Sequence, residues 1–216
     1  MKFLIQKFKK LLFSDNCSIC LKLLKNDETY LCKECLDYLK ENNQIKNKGN
    51  FYYVYYYNEK IRRLIGDYKL KNRKGLDAIL SSIIKDELQK ILLEKEIDTV
   101  IPVPISKKRE LERGFNQVEE ILKCCDIHYS KIDRVKDTKH MYELKSSSER
   151  DKNVKDAFKI ENDLTDKNIL IVDDILTTGA TVKEIAREIR KLYKVKGIYV
   201  FSIAVANRFL MNKFNS

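Results

Sequence analysis

No stretch limits the fold of this chain as sharply as residues 169–181, ILIVDDILTTGAT. Ile169, Leu170, Ile171 and Val172 form an unbroken apolar run, the habit of a strand buried on both faces in a parallel sheet. Asp173 and Asp174 end it. Thr177, Thr178, Gly179, Ala180 and Thr181 follow as a short loop, and the amphipathic period of residues 181–193 opens a helix there. In open α/β sheets a ligand sits beyond the carboxyl ends of the strands. A helix start adds free N–H groups and the positive end of its dipole, which suit a phosphate. Gly179 lets the backbone approach closely, and the threonines can donate hydroxyls. The two acids can accept from a pair of ribose hydroxyls or help place Mg2+. One kind of ligand answers all these groups at once: a sugar with vicinal hydroxyls and a phosphate. A plain capped junction would need neither two adjacent acids nor three threonines.

The rest of the chain alternates in the same way. The aromatic run 51–57 reads as a strand. Residues 60–67 and 76–93 carry helical periodicity, with a basic loop at 68–74 between them. A strand is expected at 99–104, a helix at 117–123, and strands at 127–135 and 198–206. Residues 136–148 lack a core-forming pattern and read as a mobile loop. This order predicts an α/β fold with a mainly parallel sheet and helices on both faces. Ahead of it, residues 36–41 read as a short helix and 42–50 as a polar, lysine-rich linker. The chain therefore divides into residues 1–48 and 49–216.

Four of the six cysteines stand as two pairs, Cys17 with Cys20 and Cys32 with Cys35. Each two-residue gap lets both thiolates of a pair face one ion, and four thiolates fill the tetrahedron of Zn2+. Such a site is closed, hence structural, and it folds a segment too small to bury its own core. The intervening residues fold back as a short hairpin with Asn26 and Asp27 near its tip. A pair of redox-active motifs is the competing reading. Cys124 and Cys125 have no partner pair and read as buried or incidental residues of a helix, since free cysteine commonly packs as a small apolar group.

The apolar residues of the N-terminal stretch 1–13 follow helical spacing, with lysines on the other face. This reads as a surface helix, with a membrane-skimming helix as the alternative. Lys7, Lys9 and Lys10 interrupt the apolar core that a signal peptide needs. With no spanning stretch and no export signal, a reducing cytoplasm is expected, where cysteines stay out of disulfides. The net charge of +11 is spread along the chain. A basic surface attracts phosphate polymers, single-stranded nucleic acid among them. The excess of lysine, 33 against 10 arginines, also fits the codon usage of an AT-rich genome.

Residues 169–181 resemble the phosphoribosyl-diphosphate signature of type I phosphoribosyltransferases. The segment from Ile101, Pro102, Val103 and Pro104 to Arg113, Gly114, Phe115, Asn116 and Gln117 is similar to the ComF-type branch of that fold, as is the four-cysteine module. Arg134, Thr138, Leu144, Glu149, Arg150, Asn153, Val154 and Phe158 resemble that branch's loop block. Met141 stands where family members carry Gln, and His140 beside it reads as solvent-exposed. The resemblance implies a type I phosphoribosyltransferase-like sheet that binds 5-phosphoribosyl 1-diphosphate with Mg2+. Lys107, Arg109 and Arg113 would hold diphosphate, and residues 173–181 the phosphoribosyl group. It also implies a role in natural competence: handling incoming single-stranded DNA at the inner face of the membrane, beside a helicase-like or channel protein of DNA uptake. The alternative is an active phosphoribosyltransferase in which Asp173 and Asp174 are catalytic and steady the ribosyl cation.

Overall fold

The computed structural model describes residues 16–70, 73, 75–136 and 155–211. In chain order it holds α1 (Lys33–Glu41), β1 (Lys46–Lys48), β2 (Phe51–Tyr56), α2 (Glu59–Leu70), α3 (Leu76–Glu94) and β3 (Thr99–Pro102). Then come α4 (Lys107–Arg113), α5 (Gln117–Cys124), β4 (Asp133–Arg134) and β5 (Phe158–Lys159). The chain continues through β6 (Asn168–Leu176), α6 (Ala180–Leu192), β7 (Gly197–Val205) and α7 (Asn207–Met211). Five strands form one sheet in the order β1-β2-β7-β6-β3, and only the β1 edge is antiparallel. β4 and β5 pair separately.

The period-two rule of strands sets the layers. On β6 and β7, Leu170, Val172, Phe201 and Ile203 point into a core shared with α2, α3 and α5. Ile169, Ile171, Ile198 and Val200 point the other way, against α6. Val182, Ile185, Ala186 and Ile189 of α6 are buried at helical spacing and cover that second face. Each fully buried aliphatic side chain stabilises the fold by about 1.5–3 kcal/mol. Helices therefore lie on both faces of a mainly parallel sheet, as the sequence predicts.

Several segments differ from expectation. α2 runs on to Leu70 through what reads as a basic loop. Its apolar period of Ile61, Leu64, Ile65 and Tyr68 is buried throughout, and the Tyr68 hydroxyl donates to the Gln117 carbonyl at 3.1 Å. The predicted strand at 127–135 shrinks to the two residues of β4. Its backbone bonds go elsewhere, from the Ile127 N–H to the Leu122 carbonyl and from the Ser130 N–H to the Val100 carbonyl. Residues 107–113 are helical because Ser106 caps the first turn, its hydroxyl accepting from the Arg109 N–H. Gly114, at φ +76°, ends that turn in the left-handed region. β1 lies within the segment read as a linker and pairs with β2. The helix expected over residues 1–13 and the loop residues Thr138, His140, Met141, Leu144, Glu149, Arg150, Asn153 and Val154 lie outside the described residues. Among the described residues, no helix is long and apolar enough to cross a membrane.

Candidate functional site

β3 stops at Pro102, opposite Val172, while β6 continues to Leu176. From β3 the chain passes to α5 on one face of the sheet, and from β6 to α6 on the other. This is a topological switch point, the place where open α/β sheets hold ligands. A cleft of about 550 Å³ opens there. Residues 173–181 line one side of it; Arg109, Arg113, Arg134 and Arg62, the last paired with Glu59 at 2.8 Å, stand around it, and Lys69 reaches its floor.

Asp173 and Asp174 are neighbours in unlike surroundings. Asp174 is buried, and its Oδ2 receives both the Lys69 ammonium at 2.6 Å and the Gln117 amide at 2.6 Å. Gln117 is held in turn by Arg113 at 3.1 Å. Burial alone would raise the Asp174 pKa, but the charge and hydrogen bond of Lys69, with Gln117 and Arg113, hold it below the usual carboxylate value. Asp173 is half-buried, and its Oδ1 accepts from the Asp174 N–H at 2.8 Å. Burial first, and then the charge of Asp174, push its carboxyl up to about 7. At neutral pH the pair thus holds one fixed charge and one exchangeable proton.

The following loop is shaped by Gly179. Its φ is +74°, and an added Cβ would lie 2.6 Å from Cε2 of Phe209, which is fully buried. The Thr178 hydroxyl accepts from the Ala180 N–H at 3.4 Å, while Thr177 and Thr181 are half-buried on the cleft wall. The loop threonines and the first turn of α6 therefore face the same space as the two acids.

Of the sequence-predicted residues, Asp173, Asp174, Thr177, Thr178, Gly179, Ala180, Thr181, Arg109 and Arg113 meet in this cleft. Lys107 does not; it lies on the exposed side of α4. Arg134 reaches the cleft from β4 and donates to the Pro104 carbonyl at 3.3 Å. Lys69 and the side-chain role of Gln117 were not foreseen. The signal for Lys69 was the apolar period carried through Tyr68, which keeps the helix going to the residue that meets Asp174.

The second site lies at the cysteine pairs. The Sγ atoms of Cys17, Cys20, Cys32 and Cys35 all lie within 4.8 Å of one another. Cys20 and Cys32 approach to 3.6 Å. Thiolates on a tetrahedral Zn2+ at about 2.3 Å stand about 3.8 Å apart, so both donor set and spacing fit that ion. The Cys17 N–H donates to the Lys22 carbonyl to close the first knuckle, and Asn26 and Asp27 form the turn between the pairs. Burial drives the Cys32 and Cys35 thiols up. At Cys17 burial is outweighed by backbone donors at Cys20, Cys32 and Ile19, which bring it down to about 7. Cys124 is exposed at the end of α5, and Cys125 is buried. Asp156, Glu184 and Glu188 also converge, but the Arg187 guanidinium sits among them at 2.8, 2.7 and 2.6 Å, which makes them a salt-bridge network.

A family model described as phosphoribosyl transferase domain matches residues 83–204, more than half of the chain, and the chain belongs to that family. Among curated proteins it is similar to the competence protein ComFC of Streptococcus pneumoniae, 28% identical over 190 residues, covering 88% of this chain and 80% of that protein. It is equally similar to competence protein F of Haemophilus influenzae, 28% identical over 212 residues, covering 88% of this chain and 90% of that protein. Among solved structures, a purine phosphoribosyltransferase from Pyrococcus horikoshii aligns with 58% of this chain and 73% of its own, at 23% identity and a TM-score of 0.36. The family match and the two competence proteins bear out the ComF-type resemblance read from the sequence.

Proposed function

We propose that this chain is a ComF-like protein that handles incoming single-stranded DNA in natural transformation, and that its cleft binds 5-phosphoribosyl 1-diphosphate or a related ribose phosphate. The observation that carries the ligand reading is the switch-point cleft, with two acids on its floor and guanidinium groups around it. Lys69 and Asp174 cancel each other in charge. Arg109, Arg113 and Arg134 bring positive charge to the same cleft, which favours a diphosphate. The carboxylates and loop hydroxyls favour a ribose. Mg2+ binds largely through substrate phosphates and keeps several waters, so it would enter with the diphosphate. When bound, it would neutralise charge on the diphosphate.

In this reading residues 1–48 form the metal-binding module, with Zn2+ held by Cys17, Cys20, Cys32 and Cys35, and residues 49–216 form the ligand-binding domain. The DNA role rests on relatives whose names speak of competence and on the net charge of +11. A helicase or channel protein of DNA uptake at the inner membrane face is the partner such a role calls for.

The same cleft supports a second reading, an active phosphoribosyltransferase. A nucleophile would form a bond to C1 of the ribose as the C1–O bond to diphosphate breaks, and the diphosphate would leave with the bonding electrons. Arg109 and Arg113 would stabilise that leaving group and ionised Asp174 would offset the developing positive charge on the sugar, a division of roles supported by their lining the same cleft. Isothermal titration of 5-phosphoribosyl 1-diphosphate with Mg2+ tests the binding site. The wild type should bind, and an Asp173→Asn, Asp174→Asn variant should not. Release of diphosphate on addition of an acceptor would favour the transferase. No heat from the wild type would refute the ligand reading.

A further inference from the structure

The C-terminal turn of α2 ties three parts of the molecule together through three consecutive residues. Asp67 is buried and lies 3.7 Å from the Arg73 guanidinium. Arg73 donates to the Asn16 carbonyl and to the Ser18 hydroxyl, each at 2.9 Å, within the first cysteine knuckle. Tyr68 donates to the Gln117 carbonyl at 3.1 Å. Lys69 reaches the cleft floor, its ammonium 2.6 Å from Asp174 Oδ2. Only a fifth of the Lys69 side chain is exposed, so this is a largely desolvated ion pair in a fixed place. The Tyr30 ring packs so closely on Gly75 that a Cβ there would lie 2.4 Å from it, which presses the knuckle against the turn after α2.

We propose that Lys69 is a positioning residue of the cleft: braced by the cysteine knuckle through Arg73 and Asp67, it fixes the Asp174 carboxylate as a preset acceptor for a ribose hydroxyl. This rests on the ligand reading above and deepens it. The physical logic is local. Without Lys69, a buried carboxylate loses its counter-ion and takes up a proton. The cleft's net charge then stays the same, because one positive and one negative charge vanish together. What disappears is a charged acceptor held in one orientation by two donors on a single oxygen. The other titratable groups that line the cleft are Asp173 on β6, Arg109 and Arg113 on α4, Arg134 on β4, Arg62 on α2 and Tyr57 after β2.

The test uses the full-length, metal-loaded protein and two variants, Lys69→Met and Lys69→Arg. Binding of 5-phosphoribosyl 1-diphosphate with Mg2+ is titrated calorimetrically. The aspartate carboxyls are titrated without ligand by 13C NMR, with Asp174→Asn spectra giving the assignment. Lys69→Met should bind about 10- to 100-fold more weakly, the weight of a charged hydrogen bond. Its Asp174 carboxyl should titrate above the ordinary value of 3.8 instead of below it. Lys69→Arg should recover part of both effects, and zinc content and thermal midpoint should show that both variants remain folded. An Asp174 titration unchanged in Lys69→Met would overturn the proposal whether or not any ligand binds. So would a shifted titration with unchanged affinity, since Lys69 would then set a charge without serving the ligand. A wild type that binds nothing while Asp174 still shifts would sink both the ligand reading and the hydroxyl-positioning role, leaving only the ion pair.

Discussion

Replacing Gly179 with alanine puts two separable loads on the loop before α6. The first is conformational. At φ +74° a residue with a Cβ is strained by about 1–2 kcal/mol. The second is steric. The new methyl would stand 2.6 Å from Cε2 and 3.2 Å from Cδ2 of Phe209, a ring that is fully buried on α7 and cannot swing into solvent. Overpacking of this kind typically costs about 1–3 kcal/mol. The two loads together come to about 2–5 kcal/mol. For a chain of this size that lowers the melting temperature by about 5–15 °C. Thermal unfolding followed by circular dichroism measures it directly. The companion variant Phe209→Leu removes the edge of the ring that the methyl would strike. The double variant should therefore be less destabilised than the sum of the singles by about 1 kcal/mol or more. A Gly179→Ala protein that melts with the wild type would refute the reasoning at its root, and strict additivity with Phe209→Leu would refute the steric half.

Replacing Cys17 and Cys32 together with serine removes two of the four sulfurs, so zinc measured by atomic absorption on the purified protein should fall from about one per chain to near none. Ligand affinity should rise about tenfold between about pH 6 and pH 8, as Asp173 gives up its proton, and Asp173→Asn should flatten that rise. Stability responds in opposite senses at the two acids. Asp173 keeps its proton to about 7 in the folded chain, so its contribution is full below the unfolded value of 3.8 and is lost as pH rises through 7. Asp174, held low, contributes above 3.8 and loses that contribution as pH falls. Single-stranded DNA binding, measured by fluorescence anisotropy, should weaken steeply and linearly in log affinity against log salt; a flat response would count against contacts with the phosphate backbone.

What could be read before the structure followed from how local each signal was. β6 was legible because an unbroken apolar run, two acids and a glycine-bearing loop are all contiguous. The cysteine cluster was legible because two short spacings alone set it. α2 was cut short because Lys69 and its lysine-rich neighbours masked the apolar period that Tyr68 still carries. The predicted strand at 127–135 failed because Ile127 and Ile132 are separate anchors of a loop, buried without a ladder between them. The ion pair of Lys69 with Asp174 was invisible because its partners come from distant parts of the chain and meet only once the sheet is assembled. The exposed placement of Lys107 depended likewise on Ser106 and Gly114 turning a basic stretch into a helix with a definite outer side.

The cysteine segment shares the core on one face of the sheet, where Cys17, Ile19, Leu31 and Leu39 join Leu170 and Phe201. The Tyr55 hydroxyl on β2 donates to the Leu39 carbonyl at 2.7 Å across that boundary. Melting should therefore be all-or-none, with one calorimetric endotherm and no surviving half. If the cysteine pairs are stripped of a metal by a chelator, the cleft should loosen along with them. Truncation ahead of β2 would strip Tyr55 of its partner and open the helical layer to water, so the short cysteine stretch behaves as a keystone of the fold and cannot be traded as a detachable attachment.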